Sequence, residues 1–271
     1  AGEAKPLVRP YVDAMDTHGG DGLGESAFPD PAGSPAEADA VSYLSDVLLS
    51  EEQVSVIALG PLTNLARLLE RSPEAFARIQ ELVSMGGTYK SHGNCSPVAE
   101  YNYWCDPDAA AKVFEAYASL PELSGKNIHM IGLDVTRKIV LTPNLIEYMK
   151  RLHPFLGGKI EAITRFYLDF HWEQEGIIGC VINDPLAVAY FADHSICSGF
   201  DAYTAVETGG ISYGQTLVDA CEFWKKPHNS HILTETDPYR FWLLFCCRVL
   251  GADETAVRHM LSQILTEEVT A

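Results

Sequence analysis

A polar loop near residue 100 carries side chains that suit the recognition of a sugar. Within residues 92–102, Asn94, Glu100 and Asn102 offer one carboxylate and two amides. Vicinal sugar hydroxyls need this set of donors and acceptors, and a phosphate would not favour it. The loop therefore predicts a polar, uncharged ligand. Taken singly, each residue is also typical of a solvated or turn-forming loop.

Two further features have both a chemical and a purely structural interpretation. Asp184 precedes Pro185, and this pair is typical of a helix N-cap followed by proline at the first helical position. Gly86 and Gly87 follow an apolar run, where glycines either turn the chain or let a ligand approach the backbone. The chain contains neither GxGxxG nor GxxxxGK[ST], so a nucleotide cofactor is not indicated.

Short apolar strands alternate with helices of 3.6-residue periodicity, which predicts the elements that position these residues. Strands are predicted at 54–59, 82–85 and 128–133, and later at 202–207, 215–219 and 231–233. Helices are predicted at 37–49, 62–69, 109–118, 145–149, 160–172, 186–191, 239–250 and 254–264. The pattern predicts one α/β domain over residues 1–271. Its central sheet is expected to be open, Rossmann-like and mostly parallel, with helices on both faces and some antiparallel strands late in the chain.

Composition limits the partners and the compartment. The 271 residues include 19 Lys and Arg against 37 Asp and Glu, a formal net charge of −18, which argues against nucleic acid and anionic lipid. No apolar stretch reaches the roughly 18 to 20 residues of a membrane helix. Residues 1–10 do not resemble a signal peptide, and the seven cysteines include no CxxC pair. We therefore expect a cytoplasmic protein with reduced thiols.

Six motifs along the chain resemble those of the inosine-uridine type nucleoside hydrolases. In chain order they are THGGDGLG, ALGPLTNLA, SMGGTY, GNCSPVAEYNYWCDPDAA, IGLDVT and INDPLAVAY. The resemblance implies hydrolysis of the N-glycosidic bond of ribonucleosides to ribose and a free base, with a bound calcium ion, as in purine nucleosidases and other enzymes of nucleoside salvage. It also implies a homo-oligomer.

The resemblance assigns roles to individual residues. Asp184 matches a calcium ligand that also touches ribose, and Leu59 matches a residue whose backbone carbonyl binds the ion. Asn94, Glu100 and Asn102 match residues that hydrogen-bond ribose hydroxyls. Met85 matches a residue packed under the sugar, and Tyr101 lies where an aromatic residue is common.

Proton donation to the leaving base is the first point where the chain departs from the family pattern. Many members have a histidine before the late aspartate, whereas this chain has Asn183, which is not an acid at neutral pH. His18, or His171 on the helix expected to border the base, is predicted to replace it. Each of these histidines has the alternative of capping a turn or packing. Tyr167 and Trp172 are candidates for stacking on the base, with core packing as the alternative.

The second departure is that no segment of the family form DxDxGxDD, which carries calcium ligands and the water-activating base, occurs in residues 1–271. We expect it on a longer polypeptide or another chain, and we expect the isolated chain to be inactive. Two other functions stay open. One is an inactive family member that binds nucleosides or acts as a structural subunit, and the other is a metal-free carbohydrate-binding module.

Overall fold

The computed structural model describes residues 1–29, 31–34 and 36–265, and the chain divides into two compact units. Unit 1 comprises Ala1–Val12, Ala32–Thr136 and Cys197–Glu235. Unit 2 comprises Asp13–Pro31, Arg137–Ile196 and Thr236–Ala271. The expectation of a single domain stays a prediction.

Unit 1 contains a sheet that is parallel over its first four strands. Its strands are β1 (Val54–Ala58), β2 (Ile79–Met85), β3 (Ile128–Ile131), β6 (Cys197–Val206), β7 (Thr216–Asp219) and β8 (Ser230–Thr236). Their spatial order is β1-β2-β3-β8-β6-β7, and β1, β2, β3 and β8 pair in parallel. β6 and β7 pair antiparallel. The sequence-based prediction of an open, mostly parallel sheet with late antiparallel strands is confirmed.

One face of this sheet packs against helices of the same unit. The helices that contribute to this core are α2 (Ala40–Ser50), α3 (Thr63–Arg71), α4 (Pro73–Ala77), α5 (Tyr101–Cys105) and α6 (Pro107–Ser119). The short helix α7 (Leu133–Thr136) follows β3. The core includes Leu82, Ile128 and Ile232 from the strands and Val113 and Phe114 from α6. Alternation along each strand therefore sends these side chains towards the helices.

The buried Asp106 holds three parts of unit 1 together. Its carboxylate caps α6 by accepting from the Ala109 amide, at 3.0 Å. It also accepts from the Thr63 hydroxyl at 2.6 Å and from the Leu7 amide at 2.9 Å. Asp106 directly precedes Pro107, the first residue of α6, and replacing this cap by alanine would cost about 1–2 kcal/mol.

Unit 2 is mainly helical. Its helices are α1 (Met15–His18), α8 (Pro143–Leu152), α9 (Pro154–Glu175), α10 (Asp184–Ala192), α11 (Pro238–Val249) and α12 (Glu254–Ile264), and its strands β4 (Val140–Leu141) and β5 (Cys180–Val181) form an antiparallel pair. Helix α9 ends at Gly176 in a left-handed conformation, which glycine adopts without strain. Among the described residues, no helix combines the length and the apolar character needed to cross a membrane.

Several predicted elements differ from the structure at their ends. Helix α9 begins at Pro154, six residues before the predicted start, because Pro154 suits the first helical turn. The residues after β3, predicted as strand up to Leu133, form the short helix α7. Asp184 is the first residue of α10 and not its cap. The cap position is Asn183, which makes no side-chain capping bond.

Candidate active site

Glu100 is buried and fixed by backbone amides. It is the N-cap of α5, accepting from the amides of Asn102 at 2.8 Å and Tyr103 at 3.2 Å. Its carboxylate also accepts from the amide of Gly87 at 2.8 Å. Short hydrogen bonds to an ionised acceptor are stronger than neutral ones. Glu100 therefore connects the loop that follows β2 to the start of α5.

The Gly86-Gly87 pair has a packing role in this structure. A Cβ atom on Gly86 would lie 2.2 Å from the ring of Tyr103, so only glycine leaves room for that buried ring. Gly87 has φ +73°, where its amide is directed to Glu100. The sequence left two interpretations open for these glycines: a turn of the chain or the close approach of a ligand. In the structure, the turn at Gly87 and the packing of Tyr103 against Gly86 explain both residues.

The amide side chains of this region retain hydrogen-bonding groups for a ligand. Asn102 donates through Nδ2 to the carbonyl of Met85, at 3.1 Å, and its Oδ1 has no partner among the described residues. Asn94 accepts through Oδ1 from the Tyr101 amide, at 2.9 Å. Met85 is buried and also contacts Asn102 through its sulfur. These four residues form one connected group in unit 1.

Leu59 and Tyr101 border a cavity of about 570 Å³ in unit 1. Leu59 follows β1 directly and its side chain is 38% exposed. Tyr101 donates its hydroxyl to the carbonyl of Val12, at 3.1 Å, which fixes the ring. Burial raises the pKa of the Tyr101 hydroxyl, so it stays protonated.

Asp184 carries a carboxylate without a partner. It makes no hydrogen bond or ion pair with any described residue, and the residue is exposed to solvent. Desolvation by the surrounding protein raises the pKa of Asp184 to about 6. A carboxylate with access to solvent and no protein partner is well suited to accept a cation or a hydroxyl donor.

Asn183 and Tyr167 form a polar pair in the same unit. Asn183 donates through Nδ2 to the Tyr167 hydroxyl, at 3.1 Å. The Oδ1 atom of Asn183 is buried without a hydrogen-bond partner in the described structure. Buried polar atoms are nearly always paired, so this oxygen is a place where a ligand or water would bind. The Tyr167 hydroxyl is thus used as the acceptor of a hydrogen bond from Asn183 within unit 2.

His171 is buried and both of its ring nitrogens are used. Nδ1 lies 3.0 Å from the carbonyl of Tyr167, and Nε2 accepts from the Val181 amide at 3.4 Å. These partners fix the neutral tautomer with its proton on Nδ1. Burial lowers the pKa of His171. The geometry supports the packing interpretation of His171, because its Nδ1 proton is directed to the Tyr167 carbonyl and its Nε2 is occupied by the Val181 amide.

His18 is exposed, and its ring nitrogens have no hydrogen-bond partner among the described residues. Its ring lies 5.0 Å from that of Tyr167, centroid to centroid. Desolvation lowers the pKa of His18 from its ordinary value of 6.5, and nearby Asp16 opposes that effect. Trp172, the other aromatic candidate on α9, is 59% exposed. Of the two predicted acids, His18 alone has free nitrogens.

The predicted residues therefore fall into one group in each unit. Unit 1 holds Leu59, Met85, Asn94, Glu100, Tyr101 and Asn102, and unit 2 holds His18, His171, Asn183 and Asp184. The sequence places Asp134 directly after a strand, within the IGLDVT motif, but assigns it no role; in the structure its carboxylate accepts from the amides of Tyr89, Lys90 and Ser91 and so shapes the loop after β2. Its position directly after an apolar strand was an available signal.

An open, mostly parallel sheet with polar residues following its strands is typical of α/β proteins, in which ligands bind beyond the carboxyl ends of the strands. The chain belongs to the inosine-uridine preferring nucleoside hydrolase family, whose sequence profile matches residues 1–243. This confirms the resemblance that the motifs indicate.

Individual relatives agree with this assignment. The pyrimidine-specific ribonucleoside hydrolase RihA of Klebsiella pneumoniae is 32% identical over 243 residues, which are 89% of this chain and 75% of that protein. The solved structure of the purine-preferring ribonucleoside hydrolase from Gardnerella vaginalis superposes with a TM-score of 0.82 at 26% identity, covering 95% of this chain and 80% of that one. A plant nucleoside hydrolase superposes with a TM-score of 0.77 at 26% identity, covering 89% and 76%.

Proposed function

We propose that this protein hydrolyses the N-glycosidic bond of ribonucleosides, giving ribose and a free base. The observation that carries the proposal is the unpartnered carboxylate of Asp184, in a chain whose family splits this bond. Breaking the bond passes through an oxocarbenium-like sugar, so the protein must hold the ribose, provide an activated water and help the base to leave.

Ribose recognition is assigned to the polar group of unit 1. The Oδ1 of Asn102 can accept from a sugar hydroxyl, and the Nδ2 of Asn94 can donate to one. Glu100 holds Asn102 in place through its amide and is predicted to contact the sugar as well. Met85 would pack against the apolar face of the ribose, as the resemblance implies.

Calcium is the cofactor that the resemblance implies, and the donor types fit it. Asp184 of unit 2 offers a carboxylate, a hard oxygen donor of the kind that calcium prefers. The carbonyl of Leu59 in unit 1, which the resemblance also names, is a donor of the same hard type. When bound, the ion would supply a positive charge that lowers the pKa of water. Asp184 is the residue whose charge the ion would compensate.

Proton donation to the base is assigned to His18. Asn183 cannot donate as an acid, and His171 has both nitrogens occupied within its own unit. His18 has exposed, unpartnered nitrogens and packs beside Tyr167. Because the pKa of His18 is lowered, its protonated form is a stronger acid. For the same reason, less of that form is present at neutral pH.

The test is release of free base by the complete native polypeptide. Uridine and cytidine are the first substrates to assay, since RihA of Klebsiella pneumoniae is pyrimidine-specific, and inosine is the purine comparison. We expect base release that stops on chelation of calcium and returns when calcium is added.

Other outcomes separate the remaining functions. Nucleoside that binds but stays intact would refute the hydrolase and favour the inactive, nucleoside-binding family member, for which Asn183 at the acid position is the supporting observation. Ribose binding that is unaffected by a chelator would favour a metal-free sugar-binding module. Homo-oligomeric assembly and inactivity of the isolated chain stay predictions.

A further inference from the structure

Four polar side chains of unit 1 form a row across the sheet, one on each of the adjacent strands β2, β3, β8 and β6. Each of these strands has a paired neighbour on both sides. Each polar residue is next in the chain to a residue of the helix-packed core. Because side chains alternate along a strand, the row lies on the face opposite those helices. Its members, in strand order, are Glu81, His129, His231 and Asp201.

The two imidazoles at the centre of the row lie side by side. His129 and His231 are directly paired in the register of β3 and β8. Their ring centroids are 5.5 Å apart, and the ring planes are inclined by 45°. Two imidazoles that each bind one tetrahedral zinc ion through a nitrogen, at about 2.0–2.1 Å, have centroids roughly 5 Å apart. The separation of these rings therefore suits two ligands of one ion.

Asp201 prepares His231 to act as a ligand. Nδ1 of His231 lies 2.6 Å from a carboxylate oxygen of Asp201. An ionised carboxylate only accepts hydrogen bonds, so Nδ1 carries the proton and the lone pair of the neutral ring is on Nε2. Histidines that bind metal ions commonly donate their other ring proton to a carboxylate in this way.

Glu81 provides an oxygen beside the other histidine. Its Oε1 lies 3.9 Å from Nε2 of His129, which is longer than a hydrogen bond. Two ligand atoms of one tetrahedral zinc ion are roughly 3.4 Å apart, so a small side-chain rotation would bring both atoms onto an ion. Both side chains are partly exposed, at 21% for Glu81 and 25% for His129, which gives an ion access from solvent.

We propose that Nε2 of His129, Nε2 of His231 and a carboxylate oxygen of Glu81 bind a zinc ion, with water in the fourth position. Asp201 is a positioning residue for His231. Two imidazoles and one carboxylate suit zinc, whereas calcium prefers a shell of oxygen ligands. The ion would link β2, β3 and β8. This site differs in ligand type from the calcium site assigned to Asp184 and does not depend on the proposed function.

The test is a cobalt titration of the complete native polypeptide, first freed of metal by a chelator and then supplied with excess calcium. Cobalt replaces zinc in such sites and gives visible absorption bands that report nitrogen ligands and tetrahedral geometry. The excess calcium keeps any site made of oxygen ligands filled. We expect bands that saturate at one cobalt ion per chain and disappear when zinc is added, because zinc binds nitrogen ligands more tightly than cobalt.

Three variants test the individual roles. His129→Gln and His231→Gln each remove one imidazole and should abolish the saturable bands, and thermal unfolding without metal shows whether each variant is folded. Asp201→Asn keeps a neutral acceptor for the Nδ1 proton of His231, and the Asp201 side chain is half exposed, so this variant should fold. It should bind cobalt about tenfold to a hundredfold more weakly, as expected when the partner of a metal-binding histidine loses its charge.

His228 and Glu222 of the same unit provide the matched control. Nε2 of His228 lies 3.6 Å from a carboxylate oxygen of Glu222, and both side chains are exposed. His228→Gln should bind cobalt as the wild-type protein does. Asp184→Asn should also retain cobalt binding, so failure of the zinc site and failure of the proposed function are distinguishable.

The proposal would be overturned if the wild-type protein showed no saturable cobalt binding in the presence of calcium. Wild-type affinity in His129→Gln or His231→Gln would overturn it as well, and so would loss of cobalt binding in Asp184→Asn. If either histidine variant were unfolded without metal, Asp201→Asn would decide, and unchanged cobalt affinity in that variant would contradict the proposal.

Discussion

Glu100 and Asp184 are both acidic residues at helix starts, and the structure treats them in opposite ways. Glu100 is buried and accepts three backbone hydrogen bonds, from the amides of Gly87, Asn102 and Tyr103. Asp184 has solvent access and no protein partner, and its pKa is raised to about 6. The comparison teaches that a carboxylate whose oxygens accept from the backbone stabilises the fold, whereas one without a protein partner keeps all of its acceptor positions for a ligand.

The two candidate acids of unit 2, His18 and His171, repeat this contrast. His171 has a carbonyl and an amide as partners for its two nitrogens, whereas the nitrogens of His18 have no partner in the described structure. The pKa is lowered in both His18 and His171. The presence or absence of hydrogen-bond partners on the ring nitrogens, and not the pKa, therefore distinguishes His18, the proposed proton donor, from His171, which stabilises the fold.

The largest expected effect is that of Asp184→Ala. Loss of this carboxylate should weaken calcium binding and reduce base release by about a thousandfold or more, which corresponds to ~4 kcal/mol in the activation barrier. Calorimetric titration with calcium and turnover of uridine by the complete polypeptide measure the two effects.

Cys246→Ala is the control for this substitution. Cys246 is buried in α11, far along the chain from the assigned residues, and its replacement should change stability by about 1 kcal/mol without changing turnover per folded molecule. Near wild-type turnover in Asp184→Ala would show that the unpartnered carboxylate is not part of the catalytic machinery.

The next effect in size concerns the two histidines. His18→Gln should lower kcat for uridine by about a hundredfold, because general acid catalysis contributes about that much. The same variant should keep most of its activity on 4-nitrophenyl riboside, whose leaving group departs as a stable phenolate. Steady-state kinetics with the two substrates provide the comparison.

His171→Gln is the matched variant. It removes two buried hydrogen bonds, so it should lower the free energy of unfolding by about 1–3 kcal/mol and affect both substrates equally. If His18→Gln reduced turnover of both substrates to the same extent, proton donation by His18 would be ruled out.

Glu100→Gln tests the structural half of the comparison. The neutral amide keeps one acceptor oxygen for three backbone amides, so the free energy of unfolding should fall by about 1–3 kcal/mol. Glu74→Gln, on an exposed side chain of α4, should change it by less than about 0.5 kcal/mol. Urea denaturation measures both, and equal stabilities would contradict the structural role of Glu100.

The smallest effect is expected for Asp184→Asn in the absence of calcium. The pKa of Asp184 is higher in the folded chain, about 6, than its ordinary value of 3.8, so the folded state loses stability as pH rises from about 4 to about 6. The variant should therefore be more stable than wild type at pH 7, by about 1 kcal/mol after allowance for solvent access, and equal to it at pH 3. Thermal unfolding at the two pH values gives the difference, and a less stable variant at pH 7 would mean that Asp184 has a stabilising partner.

Much of the fold followed from the sequence, because strand periodicity and caps are local. Helix α12 has the predicted bounds of residues 254–264. The capping of α6 by Asp106 is equally local, because the residue lies directly before Pro107 at the start of the helix. The hydrogen-bonding of Glu100 was not predictable, because it depends on an amide thirteen residues earlier in the chain. The partners of His171 also come from tertiary packing, through the Val181 amide.

The most direct test of the account is to follow the cleavage of uridine in water enriched in ¹⁸O. The account predicts uracil and ribose in equal amounts, with one ¹⁸O atom at the anomeric carbon, no requirement for phosphate, and loss of both products in Asp184→Ala. Ribose 1-phosphate as the product, or uridine that remains intact with the complete, calcium-loaded polypeptide, would contradict it.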